Sequence, residues 1–291
     1  LRGSHLILPS WRLPVASVLS VLHPKDKRPV QIYPWQNVTV VGTTDVEHNE
    51  DINVEPKISQ QEFDYLLACV AHQFPNSQLT ESDVISTFSG VRPIVVKQQS
   101  KRRRKPSKEK RAHSIWQQAG LLTVAGGKLT TFRVIAQEVI HLLAAELGLS
   151  KQVLAEHDEA IFEQVNTCNS SKLPSYSFNR LQGCYGGLTS LFLRQSASDM
   201  LVPVSYSQHL WAELLWAVKH EQVVHLDDLL LRRTRLGNVL PEGGIMLMPQ
   251  IKKICLHLLG WSQQQWHNEV ERYQHIWRNH YSLPIKAAGN E

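Results

Sequence analysis

Residues 121–133 read LLTVAGGKLTTFR. Leu121 to Ala125 is a short apolar run of strand type, and Gly126-Gly127 interrupts it. From about Leu129 to Leu147 the apolar residues recur at helical spacing until Gly148 stops them. A strand thus passes through a glycine pair into a long helix. Just upstream, Ala112 to Trp116 is placed to pair with Leu121 to Ala125 as a hairpin closing at Gly120. The helix start offers backbone N–H groups with no partner inside the helix, two threonine hydroxyls and the Lys128 ammonium. It therefore suits an anionic oxygen of a cofactor or substrate, or is simply a tight strand-to-helix turn. A P-loop is excluded, because Leu122 stands in place of its first glycine and Leu129 in place of its magnesium-binding hydroxyl.

The first 45 residues read as β structure, with runs at His5 to Pro9, Val15 to Leu22, Val30 to Trp35 and Val38 to Gly42. Ser59 and Glu62 then have capping-box spacing. Phe63, Leu66, Leu67, Val70 and Phe74 follow on one helical face, ending at Pro75. Val84 to Val96 reads as a further strand disturbed by Gly90 and Pro93. Within it, Ser89-Gly90-Val91-Arg92-Pro93 presents a guanidinium from rigid backbone. That geometry suits bidentate capture of phosphate or carboxylate, or else an ion pair internal to the fold.

Past about residue 150 the texture changes. Residues 151–174 read as a linker, polar from Asn166 to Pro174. Residues 175–291 show only helical periodicity, at about 208–221, 225–233, 244–259 and 262–280, with Ser262 and Gln265 in capping-box spacing. Five of the eight tryptophans fall there (Trp211, Trp216, Trp261, Trp266, Trp277), as large anchors of a helical core. The chain thus divides into an α/β (α+β) part over 1–150 and an all-α part over 175–291.

Over 291 residues, 42% hydrophobic and 20% charged content is globular and excludes a disordered or collagen-like chain. No apolar run approaches the roughly 18 residues of a membrane span, and no secretory signal opens the sequence. Cys69, Cys168, Cys184 and Cys255 lie far apart without a CxxC pair, which fits reduced thiols in a cytoplasmic protein. Nine Lys or Arg and one acid lie between Lys97 and Arg111, a local net of +8 against +5 for the whole chain. The remainder is therefore slightly acidic, and the basic character belongs to one segment. Its core, Lys101-Arg102-Arg103-Arg104-Lys105, suits a solvated loop or an anionic membrane surface. It lacks aromatic residues for base stacking, so no nucleic acid is expected. His220 and His225 are five apart, about 140° around a helix, and cannot share a zinc ion, so no metal is expected. A GxGxxG dinucleotide fingerprint is absent from the sequence.

Several pieces occur together in order: Gly3-Ser4-His5, Val41-Gly42-Thr43-Thr44-Asp45, Ser89 to Pro93, and Ala125 through Arg133. Ala212-Glu213-Leu214 through His220-Glu221 and Asp227 through Arg235 complete the series. Together they resemble FAD-dependent, quinone-linked glycerol-3-phosphate dehydrogenase, the later pieces resembling its C-terminal helical domain. The resemblance implies a partial FAD/substrate domain over 1–150 that lacks the N-terminal dinucleotide-binding segment. Such a chain is expected to hold no FAD and to be inactive by itself, and its uncovered surface favours self-association.

The family oxidises sn-glycerol 3-phosphate to dihydroxyacetone phosphate, passing hydride to the flavin and electrons to quinone or oxygen. By resemblance, Arg92 and Arg111 hold the phosphate, and His5 faces the reacting carbon. Lys128 sits near the flavin and the substrate oxygen, while Gly127, Leu129 and Thr130 meet the polar edge of the flavin ring. The segment after Pro93 departs from the family in being basic, so Arg102, Arg103 and Arg104 compete with Arg111 for its role. The expected location is cytoplasmic, peripheral on the inner membrane face. Two other readings stay open: an amino- or hydroxy-acid-oxidising flavoenzyme whose Arg92 grips a carboxylate, and a non-enzymatic basic or helical interaction module.

Overall fold

The computed structural model describes residues 1–93, 113–150 and 173–284. Strands β1 (Arg2–Pro9), β2 (Leu19–Leu22), β3 (Pro29–Trp35) and β4 (Val38–Gly42) precede helix α1 (Gln60–Gln73), and β5 (Ser86–Val91) follows it. Next come β6 (Ser114–Gln118), β7 (Leu121–Ala125) and α2 (Phe132–Leu143). Six helices complete the described chain: α3 (Ser175–Tyr185), α4 (Thr189–Gln195), α5 (Trp211–His220), α6 (Leu236–Val239), α7 (Met248–Leu258) and α8 (Gln263–His280). Two compact units result. Of the described residues, the smaller holds Leu1, Asp45–His48, 91–93 and 113–150, and the larger Arg2–Thr44, Asn49–Gly90 and 173–284.

The larger unit is built on a five-stranded sheet in the order β2-β3-β4-β1-β5. β1 pairs antiparallel with β4, setting His5 opposite Gly42 and Leu6 opposite Val41. Because side chains alternate along a strand, Leu6, Leu8 and Val41 meet Phe63, Leu66 and Val70 of α1 on one face. Ile7, Val38 and Val40 meet Leu214, Leu230, Leu236 and Ile251 of the helical region on the other. Coverage on both faces is why LIL in β1 and the VTVV run in β4 are apolar without alternation. The polar exception, Thr39, is buried and satisfied, its Oγ1 donating to Leu13 O at 2.6 Å.

α1 forms as the capping box requires. The Glu62 N–H donates to Ser59 Oγ (3.3 Å) and the Ser59 N–H donates to Glu62 Oε2 (3.0 Å). The helices expected near 208–221, 244–259 and 262–280 appear as α5, α7 and α8, each starting later. α7 is delayed because Glu242, Gly243 and Gly244 take φ of +51°, +68° and +71°, which no right-handed helix accommodates. The stretch 225–233 departs from an α-helix. Asp228–Arg233 is a π-helical turn, and Thr234 closes it by donating both its N–H and its hydroxyl to Leu229 O. Helices α3 and α4 were not legible from periodicity. They form by burying Phe178, Leu181, Phe192 and Leu193 with Trp216.

In the smaller unit β6 and β7 make the expected hairpin. Its two loop residues, Ala119 and Gly120, both have positive φ, the geometry that matches strand twist. The long helix expected from Leu129 is shorter. Leu129–Thr131 is a 3-10 turn and α2 begins at Phe132. The Thr131 hydroxyl, bonded to Lys128 O at 2.9 Å, holds the tighter turn in place. His113 Nε2 lies 2.6 Å from Glu138 Oε2 of α2, and Gln117 Nε2 donates to Glu146 in the turn after it at 2.6 Å, tying β6 and its approach to the helix and its C-terminal turn. None of the described residues of this unit is fully buried, and Leu129 is 88% exposed.

Among the described residues no helix is long and apolar enough to cross a membrane. Cys69 and Cys255 are buried free thiols, and burial pushes Cys255 up to about 12. Cys184 is free and exposed, and Cys168 lies outside the described residues.

Candidate functional site

Arg92 follows β5 directly, and its backbone is fixed from two sides. Its N–H donates to Leu1 O at 2.7 Å, and Pro93 restricts the residue before it to extended conformations. Its guanidinium Nη1 lies 3.3 Å from Asp45 Oδ1, with Asp45 mostly shielded from solvent and Arg92 about a third exposed. Asp45 ends the Val41 to Asp45 stretch, and the short segment Asp45–His48 packs into the same unit as Arg92 and the Lys128 turn. An arginine so held, on strand-end backbone beside a carboxylate, presents a defined cation. In the same segment His48 has both ring nitrogens out of solvent and, among the described residues, without a hydrogen-bond partner.

The turn 126–131 is the second element of this unit. Gly126 and Gly127 take φ of +79° and +89°. A side chain at Gly127 would also press within 2.7 Å of the Ile135 side chain, so glycine is needed there on both counts. The Lys128 N–H is bonded to Thr131 Oγ1 at 3.3 Å, while the side chains of Lys128, Leu129 and Thr130 are exposed. The turn thus offers an ammonium, a hydroxyl and helix-start N–H groups on one exposed element.

The larger unit holds His5. Its ring is stacked on Phe88, centroids 4.4 Å apart and planes within 5°, and it lies over Gly42 across the sheet. On the opposite face of the sheet, where α1 packs, runs a buried polar network centred on Glu62. Arg2 donates Nε (3.1 Å) and Nη2 (2.8 Å) to Glu62 Oε2, and Ser59 adds its hydroxyl. Ser4 Oγ (2.8 Å) and Thr44 Oγ1 (2.7 Å) donate to Oε1. Burial alone would raise the Glu62 carboxyl, but the hydrogen bonds from Thr44, Ser59 and Ser4 outweigh it and hold the group below its ordinary range. Ser4 Oγ also meets Ser89 Oγ at 2.8 Å, so one carboxylate ties together β1, β5, the end of β4 and the α1 cap.

Arg92, Gly127, Lys128, Leu129 and Thr130 therefore share one compact unit, and His5 belongs to the other. Arg111 lies outside the described residues, as does the Lys101 to Lys105 run. His220 and His225 have separate partners. The first packs its ring against Trp216 at a tilt of 41°, and the second bonds Glu269 at 2.9 Å. Among the described residues no group of three His, Cys, Asp or Glu is arranged to hold a metal ion. Three residues escaped sequence reasoning. Asp45 stood in a recognised stretch without a role, Glu62 was read only as a cap, and His48 gave no signal.

A family model described as the C-terminal domain of alpha-glycerophosphate oxidase matches residues 155–266. Glycerol-3-phosphate dehydrogenase of Mycobacterium leprae is 29% identical over 286 residues, covering 94% of this chain and 48% of that protein. Aerobic glycerol-3-phosphate dehydrogenase of Staphylococcus saprophyticus is 25% identical over 281 residues, covering 90% of this chain and 50% of that protein. The chain spans about half the length of the curated relatives it matches. The X-ray structure of the glycerol-3-phosphate dehydrogenase from Bacillus halodurans, complexed with FAD, shares the fold at a TM-score of 0.65 and 21% identity. The match covers 94% of this chain and 56% of that one. The mixed sheet and the helical region after it are thus similar to part of such an enzyme.

Proposed function

We propose that this chain carries the substrate-binding part of an FAD-dependent enzyme that oxidises sn-glycerol 3-phosphate to dihydroxyacetone phosphate. The observation that supports it best is the Asp45-paired Arg92 in the same compact unit as the Lys128 turn. Two cations on rigid backbone suit a substrate with a dianionic phosphate and a hydroxyl that loses its proton. Arg92 binds the phosphate, aided by Arg111. Lys128 hydrogen-bonds the C2 oxygen, and its ammonium steadies the negative charge that builds there as the hydroxyl proton is released to water and the hydride leaves C2.

The exposed donors of the 126–131 turn fit the polar edge of a flavin ring, with the backbone at Gly127 and Leu129 and the Thr130 hydroxyl as its contacts. FAD, when bound, supplies the acceptor for the C2 hydride. His5, held by Phe88 and Gly42, takes the position facing the reacting carbon. With no GxGxxG turn in the sequence, these 291 residues by themselves do not retain the cofactor. Electrons pass on to a quinone, and the basic run around Arg103 attaches the protein to anionic lipid.

A melting series with a panel of small molecules tests the substrate class. sn-Glycerol 3-phosphate at saturating concentration raises Tm by mass action, while glycerol, lactate and alanine at the same concentration do not. Stabilisation by lactate or alanine but not by glycerol 3-phosphate overturns the phosphate assignment in favour of a carboxylate substrate.

A further inference from the structure

We infer that His48 is a ligand-contacting residue, its ring bonding an oxygen of the polyol phosphate that Arg92 holds. This rests on the function proposed above. The starting point is the cost of what the structure shows. Both His48 ring nitrogens are buried and, among the described residues, neither has a hydrogen-bond partner. A neutral imidazole carries one N–H donor and one acceptor, and burying either unmet is unfavourable. A purely packing role at this position would be served better by an apolar ring, so the imidazole needs a partner that is not one of these side chains.

Position narrows what that partner is. Three residues before His48 on the same short segment, Asp45 pairs with Arg92 at 3.3 Å. The segment Asp45–His48 belongs to the compact unit of Arg92 and Lys128. A ligand drawn to Arg92 is anionic, and a polyol phosphate adds hydroxyl groups that both donate and accept. Donor and acceptor nitrogens of one imidazole match that mixture, whereas a fully deprotonated anion such as sulfate can use only the donor. A metal ion is a weaker fit, since no three-ligand cluster occurs among the described residues.

The test is an NMR titration of the protein, labelled at histidine and arginine side chains, with sn-glycerol 3-phosphate and separately with inorganic phosphate. His48 signals are assigned from His48→Gln. The expected result is that glycerol 3-phosphate shifts both the His48 ring and the Arg92 Nε–H resonances. His48→Phe should weaken binding about tenfold, and His48→Gln, which keeps polar atoms, should recover part of the loss. Without ligand, His48→Phe should melt no lower than the wild type, because it removes unmet buried polar atoms. If Arg92 responds and His48 does not, with His48→Phe binding normally, the inference falls and the proposed function stands. If neither residue responds to glycerol 3-phosphate, the proposed function falls and takes the inference with it. A His48→Phe protein that melts well below the wild type and binds normally assigns the ring to packing alone, and also overturns the inference.

Discussion

His5 occupies the space that a side chain at Gly42 would need: a Cβ built there would stand 2.7 Å from His5 Cγ and 2.9 Å from Nε2. The two residues face each other in the β1–β4 register, and the ring is pinned from another direction by its stack on Phe88. Gly42→Ala should therefore displace the imidazole and break the Phe88 stack, at a cost of about 1–3 kcal/mol from overpacking. Denaturant unfolding gives the cost, and the ring-current shift of the His5 protons gives the displacement. A Gly42→Ala protein with wild-type stability and an unmoved His5 signal would contradict this.

Glu62 should make the protein sensitive to acid. Its folded carboxyl titrates below the ordinary range, so the unfolded chain binds the proton more readily. The stabilisation is fully present above the unfolded carboxylate's pKa and is lost as pH falls through the depressed folded value. Glu62→Gln should lower stability at neutral pH by about 1–3 kcal/mol, since it removes the charged acceptor of two Arg2 hydrogen bonds while Glu50, 3.0 Å from Arg2 Nη1, still faces the guanidinium. It should also flatten the acid limb of the stability curve below about pH 4. An unchanged limb in chemical denaturation at pH 3 to 5 would assign the acid dependence to other groups.

Gly127 should be intolerant of any side chain. With φ at +89°, Gly127→Ala pays about 1–2 kcal/mol for left-handed backbone, and the methyl meets Ile135. The loss should be local. Hydrogen exchange should quicken in β7 and α2 while amides of β1 and β4 keep their protection. Equal acceleration in both units would show that the turn supports the whole fold.

Much of the architecture was readable one residue at a time. Ser59 and Glu62 announced α1, Phe63, Leu66 and Val70 marked its buried face, and Gly120 closed the β6–β7 hairpin as expected. What escaped depends on partners remote in sequence. The π-helical turn at Asp228–Arg233 is anchored by Asp227, which is paired with Arg272 on α8 as well as with Arg232. α3 and α4 carry Gly183, Gly186 and Gly187 in or between them, which blur helical periodicity, and only burial against Trp216 reveals them. The site followed the same rule. Arg92 and Lys128 stand out by type and local setting, but Asp45 lies 47 residues from its arginine, and no sequence pattern shows that a histidine ring lacks partners.

The most direct measurement is calorimetric titration of the protein with sn-glycerol 3-phosphate, comparing wild type with Arg92→Lys. The substitution keeps the charge but loses the planar fork, and a hydrogen bond to a charged group is worth about 1.5–3 kcal/mol. The wild type should bind glycerol 3-phosphate saturably and ignore glycerol, and Arg92→Lys should weaken the binding roughly ten- to hundredfold. A wild type that shows no saturable binding, or an Arg92→Lys protein that binds as tightly as the wild type, would contradict the assignment of Arg92 to the substrate phosphate.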